Sequence, residues 1–458
     1  MSSYHRRSFL KTGLGLLGLS LLKPPRFLNA AAATSNSSRR TLDLLPQADE
    51  TTGLHLLRLP EGFRYRSFGW TGDLLSDGSK TPDKHDGMAI LFEDEHKLVL
   101  CRNHELDGSG RAMGDASRSF DPDAPAGCIN LVIDRAALNV TESFVSLSGT
   151  SRNCAGGLTG WQTWLSCEEV VADPGDTVDD FRYDCQREHG WVFEVGPKGN
   201  ASPTPLTAMG RFSHEAIALD PRSGLFYLTE DQTTAGFYRF TPRKPGVLSE
   251  GGRLEMLAIE GATDLRKGLP GSSDEGVKVH WITIEDPERG HSPGRRDGLG
   301  VFDQGKRQGA ATFARLEGAC FANGKIYFCA TSGGRAECGQ IWEYDPASER
   351  LRIAYESPHP DVLDFPDNLT VSPQGFLLIC EDSDRGAQNL NLLDKEGQLR
   401  LFAQNNVVLH GEKNGFTGDF RTEEWAGPTF SADGQTLFIN IQTPGITFAI
   451  QGPWDQLT

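Results

Sequence analysis

Acidic side chains, with a cysteine or histidine beside some of them, recur along this chain just before one short apolar run or just after the next. His104-Glu105, Cys167-Glu168-Glu169, Glu230-Asp231 and Glu381-Asp382 each follow an apolar run, whereas Glu215, Glu317 and Asp367 each precede one. Carboxylates gathered in one place repel one another at neutral pH, so they must take up protons or bind cations. Hard carboxylate oxygens suit Ca²⁺. A thiolate such as that of Cys167 suits a transition metal better. No G-x-S-x-G elbow and no Walker A loop occurs, so neither a serine hydrolase nor a nucleotide cradle has an anchor.

The elements that must position these residues repeat. Six times an apolar strand leads to a turn and a second apolar strand returns, which is the pattern of a β-hairpin. The leading segments begin at His85-Asp86-Gly87, Cys154 to Gly157, Ser213-His214-Glu215, Glu317-Gly318, Asp367-Asn368 and Ala426-Gly427-Pro428. The returning strands end near residues 101, 167, 229, 330, 380 and 441. Helical periodicity is scarce. Six such units with further strands between them predict an all-β six-bladed propeller with elaborated blades and loop excursions. A pair of β-sandwich domains is the alternative. The interval from Gly236 to Arg315 is the longest, and its stretch from Lys267 to Arg307 reads as a surface excursion or part of a lid.

In a hairpin, the start of the first strand and the end of the second lie side by side. If all six run the same way, His104, Glu105, Cys167, Glu168, Glu169, Glu215, Glu230, Asp231, Glu317, Asp367, Glu381 and Asp382 converge on one mouth of the propeller channel. Solvated acids at strand ends are the alternative for any single pair. It is their recurrence at one edge in unit after unit that points to a shared metal site.

The chain carries 62 acidic against 45 basic side chains, a formal charge of −17, which disfavours a non-specific nucleic-acid binder. Arg6-Arg7 with Phe9 and Leu10 precede a short apolar run, Thr12 to Leu22, and then the small residues Ala30 to Ala33. This resembles a Tat export signal, and the run is too short for a permanent membrane span. Loss of residues 1–33 removes Arg6, Arg7, Lys11, Lys23 and Arg26 and leaves a mature charge of −22. The expected organisation is a signal over 1–33, a linker over 34–52 and one propeller domain over 53–458. The expected location is periplasmic or extracellular, as a monomer whose partner in transit is the Tat machinery. There are nine cysteines and no CxxC pair, which argues against a zinc ribbon or a thioredoxin-like site.

The segments Arg102-Asn103-His104-Glu105, Thr163-Trp164-Leu165-Ser166-Cys167-Glu168-Glu169, Ser213-His214-Glu215-Ala216, Pro366-Asp367-Asn368-Leu369 and Asn440-Ile441-Gln442-Thr443-Pro444-Gly445 resemble the PhoX-type alkaline phosphatases. The resemblance runs from about Gly53 to the C-terminus and departs at Gln442-Thr443, where the family pattern has Gln-His. It implies a six-bladed propeller holding a mixed cluster of Fe(III) and Ca(II). Carried over residue by residue, Glu105, Cys167 and Glu317 would be iron-side ligands. Glu168, Glu169, Glu215, Asp367 and Asp382 would be on the calcium side. The implied reaction is hydrolysis of a small phosphate monoester by a metal-held oxo or hydroxide, with no side-chain nucleophile. Arg385, then Arg335, are the candidate phosphate clamps. Two other classes stay open on the residues: a calcium-dependent lactonase or esterase propeller, and a non-catalytic metal-binding propeller.

Overall fold

A computed structural model of the protein describes residues 39–199, 203–270, 275–394 and 396–457. The signal over 1–33 lies outside the described residues. Among those described, the chain forms six sheets around a ring, antiparallel but for one short strand, plus two small outlying hairpins. The innermost strands are His85–Glu93, Asn153–Leu158, His214–Asp220, Leu316–Ala322, Pro366–Val371 and Trp425–Phe430. Each packs beside the next, and the last returns to the first, so the ring is closed. This is the six-bladed propeller expected from the six hairpins, and the returning strands end within three residues of the predicted positions.

Blade one continues through Lys97–His104, Ala126–Asp134 and Asn139–Thr150, and blade two through Trp164–Glu168 and Val192–Val195. Blade three adds Leu225–Glu230, Phe237–Pro242, Gly252–Ala258 and His280–Thr283, and blade four adds Lys325–Ala330, Gln340–Asp345, Arg350–Glu356 and Val277–Lys278. The long interval between Gly236 and Arg315 is therefore no lid. Its described part completes blade three and then lends an edge strand to each of blades three and four. It also carries the one α-helix among the described residues, Gly300–Arg307.

The N-terminal segments close the molecule. Arg64–Phe68 pairs with Ile446–Gln451 as the outer strand of blade six, joining the two ends of the fold. The described part of the stretch read as a linker is not loose chain. Leu44–Gln47 pairs with Leu57–Pro60, which extends blade five, and Arg40–Thr41 runs parallel to Leu399–Asn405. A linker reading follows from local polarity, but the free edge of blade five offers an unpaired hydrogen-bond ladder that this segment can satisfy.

The core is divided in the same way as the sheet. One apolar layer fills each gap between neighbouring blades, six in all, because each strand buries side chains on both faces. The third gap shows how densely: Phe328 and Trp342 lie nearly parallel, with Phe313 edge-on to Trp342 at 5.3 Å. Trp342→Ala should cost about 3–5 kcal/mol through the cavity it leaves. Urea denaturation checks this, and a loss under about 1 kcal/mol would show that the inter-blade layers do not carry the stability of the ring.

Candidate metal centre

The inner strands approach the axis closely enough to dictate their composition. A Cβ at Gly87 would sit 2.6 Å from the Cα of Ala155, and one at Gly318 2.8 Å from the Cα of Asn368, so each neighbouring strand passes where only glycine fits. In five inner strands the ladder also skips at the start: between His85 and Met88, His214 and Ile217, Leu316 and Ala319, Pro366 and Leu369, and Ala426 and Thr429. Such a bulge gives one strand an extra residue and re-aims a side chain. Four of the bulges carry Asp86, Glu215, Glu317 or Asp367. Each of these four inner hairpins therefore presents an acid beside the end of its own second strand.

These residues form overlapping groups. Ligating atoms of Cys154, Glu169 and Glu215 lie within 4.8 Å of one another, as do those of Glu215, Glu317 and Asp367, and those of Asp86, Glu105 and Glu424. Asp382 is close enough to Asp367 and Glu424 to raise their pKa values, and Asp231 acts similarly on Glu317. Arg315 answers part of this charge. Its Nε and Nη2 donate to Asp231 at 3.0 and 2.9 Å, and Nη2 also donates to Glu317. Across the mouth, Lys84 Nζ donates to Gln442 Oε1 at 2.8 Å. The Gln442 Nε2 in turn donates to Glu105 Oε2 at 2.6 Å and Asp86 Oδ2 at 3.3 Å.

Burial, then the neighbouring carboxylates, push the Glu215, Glu317, Asp367 and Glu424 carboxyls well above the usual range. Burial and the acids beside it likewise hold the Cys154 thiol up. Glu215 Oε2 is buried and makes no hydrogen bond. An anionic pocket with an unsatisfied buried oxygen is suited to cations, and its donors fit two kinds. One end offers a sulfur among carboxylates and suits a transition metal, and the remainder offers oxygen only and suits Ca²⁺.

The pleat separates neighbouring acids. Glu169, Asp231 and Asp382 face the cluster, while the residue before each is buried in its blade. Glu168 accepts from Ser151 N, Gly190 N and Trp191 N and meets His189 Nδ1 at 2.6 Å. Glu230 accepts from Gly236 N and Tyr238 Oη, and burial raises it to about 8. Glu381 accepts from Asn389 and Asn391, and burial raises it to about 7 against the pull of Arg39. His104 is buried, with Nδ1 2.9 Å from the Asp83 carbonyl.

Of the residues expected at the mouth, the structure brings together Glu105, Glu169, Glu215, Glu317, Asp367 and Asp382. It places Glu168 inside blade two. Cys154 and Cys167 both pack in the apolar layer between blades two and three; the Cys154 sulfur stands within 4.8 Å of ligating atoms of Glu169 and Glu215, and Cys167 is close enough to Glu215 for that carboxylate to help raise its thiol. Arg385 and Arg335 are both exposed, and Arg385 pairs with Asp361 at 2.8 Å. The arginine that does stand among the acids is Arg315. Asp86, Cys154 and Glu424 were missed as well. A signal for Arg315 existed in the Arg-Leu-Glu triplet that opens blade four, since residues two apart on a strand share a face.

Fold and site together define a six-bladed propeller whose reactive side chains are gathered at one end of the channel. The chain belongs to the alkaline phosphatase PhoX family, whose model matches residues 43–137 and 123–445. Among solved structures, Pseudomonas fluorescens PhoX in complex with vanadate, a transition-state analogue, superposes with a TM-score of 0.63. That match has 18% identity and covers 90% of this chain and 98% of that one. A gluconolactonase from Xanthomonas campestris is a weaker match, with a TM-score of 0.41 and 14% identity over 93% of this chain and 100% of that one. No curated protein sequence matches significantly.

Glu230 yields a pH prediction. A carboxyl raised in the folded state favours folding while it is protonated. Its contribution is complete below its ordinary value of 4.5 and is lost as pH rises through about 8. Glu230→Gln keeps an acceptor for Gly236 and Tyr238 without the charge. It should match the wild type near pH 5 and exceed its stability at pH 9 by on the order of a few kcal/mol, read from urea titrations.

Proposed function

We propose that this protein hydrolyses small phosphate monoesters with iron and calcium ions held at the channel mouth. The observation that carries the reading is the convergence of one thiol, Cys154, and carboxylates from blades one to five and from the segment leading into blade six at one end of the ring. Cys154, Glu169 and Glu215 would hold iron at the sulfur-bearing end. Glu317 and Asp367 share Glu215 with that group, and with Asp86, Glu105, Asp382 and Glu424 they would provide the oxygen sites for calcium. When bound, these ions would supply Lewis-acid polarisation of the phosphoryl oxygens.

The chain's own residues would do the positioning. Asp231 fixes the Arg315 guanidinium through two hydrogen bonds, from Nε and Nη2, so that pairing does not use Nη1. That group is left to donate to a phosphoryl oxygen, with its orientation already set by the protein. Gln442 holds Glu105 and Asp86 apart from each other's charge by donating to both, and Lys84 fixes the amide the right way round. The acidic body is then no obstacle to an anionic substrate, because bound cations dominate the local field.

Export follows the same reading. Residues 1–33 would direct the folded chain through the Tat route to the periplasm or beyond, and among the described residues no helix is long and apolar enough to cross a membrane.

The purified mature chain should hydrolyse a chromogenic phosphate monoester, and chelation should abolish the activity. Arg315→Gln should lower kcat by about 10²–10³-fold, the usual cost of one preorganised donor to a charged transition state. Absence of phosphomonoesterase activity in metal-replete protein would sink the reading. Elemental analysis tests the ligand assignment: Cys154→Ser should lose iron, and Cys167→Ser should retain it.

A further inference from the structure

A second set of ligating atoms is buried outside the channel, between the excursions of blades one and two. Asp121 lies in the connection between Lys97–His104 and Ala126–Asp134, and Cys185 and His189 lie in the one leading to Val192–Val195. One ligating atom each from Asp121, Cys185 and His189 all fall within 4.8 Å of one another. Asp121 and His189 have no exposed surface, and Cys185 has 7%. The His189 Nδ1 is engaged by Glu168 Oε1 at 2.6 Å, whereas Nε2 makes no hydrogen bond. Its nearest charged neighbour, Asp121 Oδ2, is 3.6 Å away. That gap is too long for a hydrogen bond. It is close to the ~3.3 Å between two ligands on one tetrahedral ion with bonds of about 2.0 Å.

The site is built to hold this arrangement. Asp121 Oδ2 accepts from the backbone N–H groups of Gln186 and Arg187, both at 2.6 Å, and Oδ1 accepts from Asp123 N at 2.9 Å. The turn carrying Cys185 and His189 is thereby tied to the residue that completes the trio. The Phe120 ring stands edge-on to His189 with centroids 5.6 Å apart and closes one side.

We propose that Asp121, Cys185 and His189 form a transition-metal site of the zinc class, separate from the channel centre, that clips the excursion of blade one to that of blade two. One sulfur, one imidazole nitrogen and one carboxylate oxygen are the donor types that Zn²⁺ takes in proteins. Glu168 provides the outer carboxylate that orients a metal-bound imidazole and fixes its tautomer. The clip would also steady the end of the strand that delivers Glu169 to the channel.

A proton is the competing occupant. An imidazolium would draw Nε2–H onto Asp121 at about 2.7–2.9 Å. The observed gap, with a thiol at its edge, fits an ion instead.

X-ray absorption at the zinc edge of the mature protein, dialysed against Zn²⁺ and then against buffer, decides between them without interference from iron. The expected result is about one zinc per chain, with one sulfur neighbour near 2.3 Å and nitrogen and oxygen neighbours at about 2.0–2.2 Å. Cys185→Ser should lose that zinc, and Cys154→Ser should keep it. Wild-type protein that retains no zinc, zinc surrounded only by oxygen and nitrogen, or a sulfur signal that disappears with Cys154 would each overturn the proposal. The wild-type measurement stands even if a variant fails to fold.

Discussion

The structure turns on a repulsion. Carboxylates from five blades and from the segment leading into the sixth are brought to one end of one channel, several within 4.8 Å of each other, with the basic groups Arg315 and Lys84 set among them. Two like charges 4 Å apart repel by about 4 kcal/mol even at an effective dielectric of 20. Nothing local could hold such a set together. The scaffold that does so is the ring itself, with its six inter-blade apolar layers and its outermost strand drawn from the far end of the chain. Burial first, and these neighbouring carboxylates second, push the Glu215, Glu317, Asp367 and Glu424 carboxyls upward.

Pairs of consecutive acids resolve into two jobs. A strand sends alternate side chains to opposite sides, so Glu168, Glu230 and Glu381 are buried among donors in their own blades while Glu169, Asp231 and Asp382 face the channel. The inward acid of each pair is not spare. It ties the strand end to the next strand or to the following loop, and thereby fixes where its neighbour points. Mutating the inward member should therefore disturb the site without touching it, which is the behaviour of a positioning residue and not of a ligand.

How much of this was legible in the sequence follows from the same distinction. The hairpins were legible because strand, turn and strand leave a local period-two signature, and their edge carried the acids, so Glu105, Glu215, Glu317, Asp367 and Asp382 could be read directly. The choice of cysteine could not. Cys154 and Cys167 face each other across one hairpin, both buried, with a register shift between Ser166 and Glu168, and the sequence alone does not say where either sulfur lies relative to Glu169 and Glu215. Arg385 lay close in sequence to Glu381 and attracted attention, yet its loop carries it to the surface. Asp86 and Glu424 lie at the junction of first and last blades, where no neighbour in sequence announces the partner.

That junction also orders assembly. Asp86 and Glu105 belong to blade one and Glu424 to the chain just before blade six, so their shared group exists only once those blades meet. They meet when Arg64–Phe68, near the start of the chain, pairs with Ile446–Gln451 near its end. A chain that ends before Glu424 cannot assemble that group. Cys154, Glu169 and Glu215, by contrast, come from blades two and three and can gather as soon as those neighbours pack. The thiol end of the centre is therefore the part able to form early and the all-oxygen end the part that must wait for closure. A chain exported already folded would leave with both ends in place, whereas one threaded unfolded would have to build them outside.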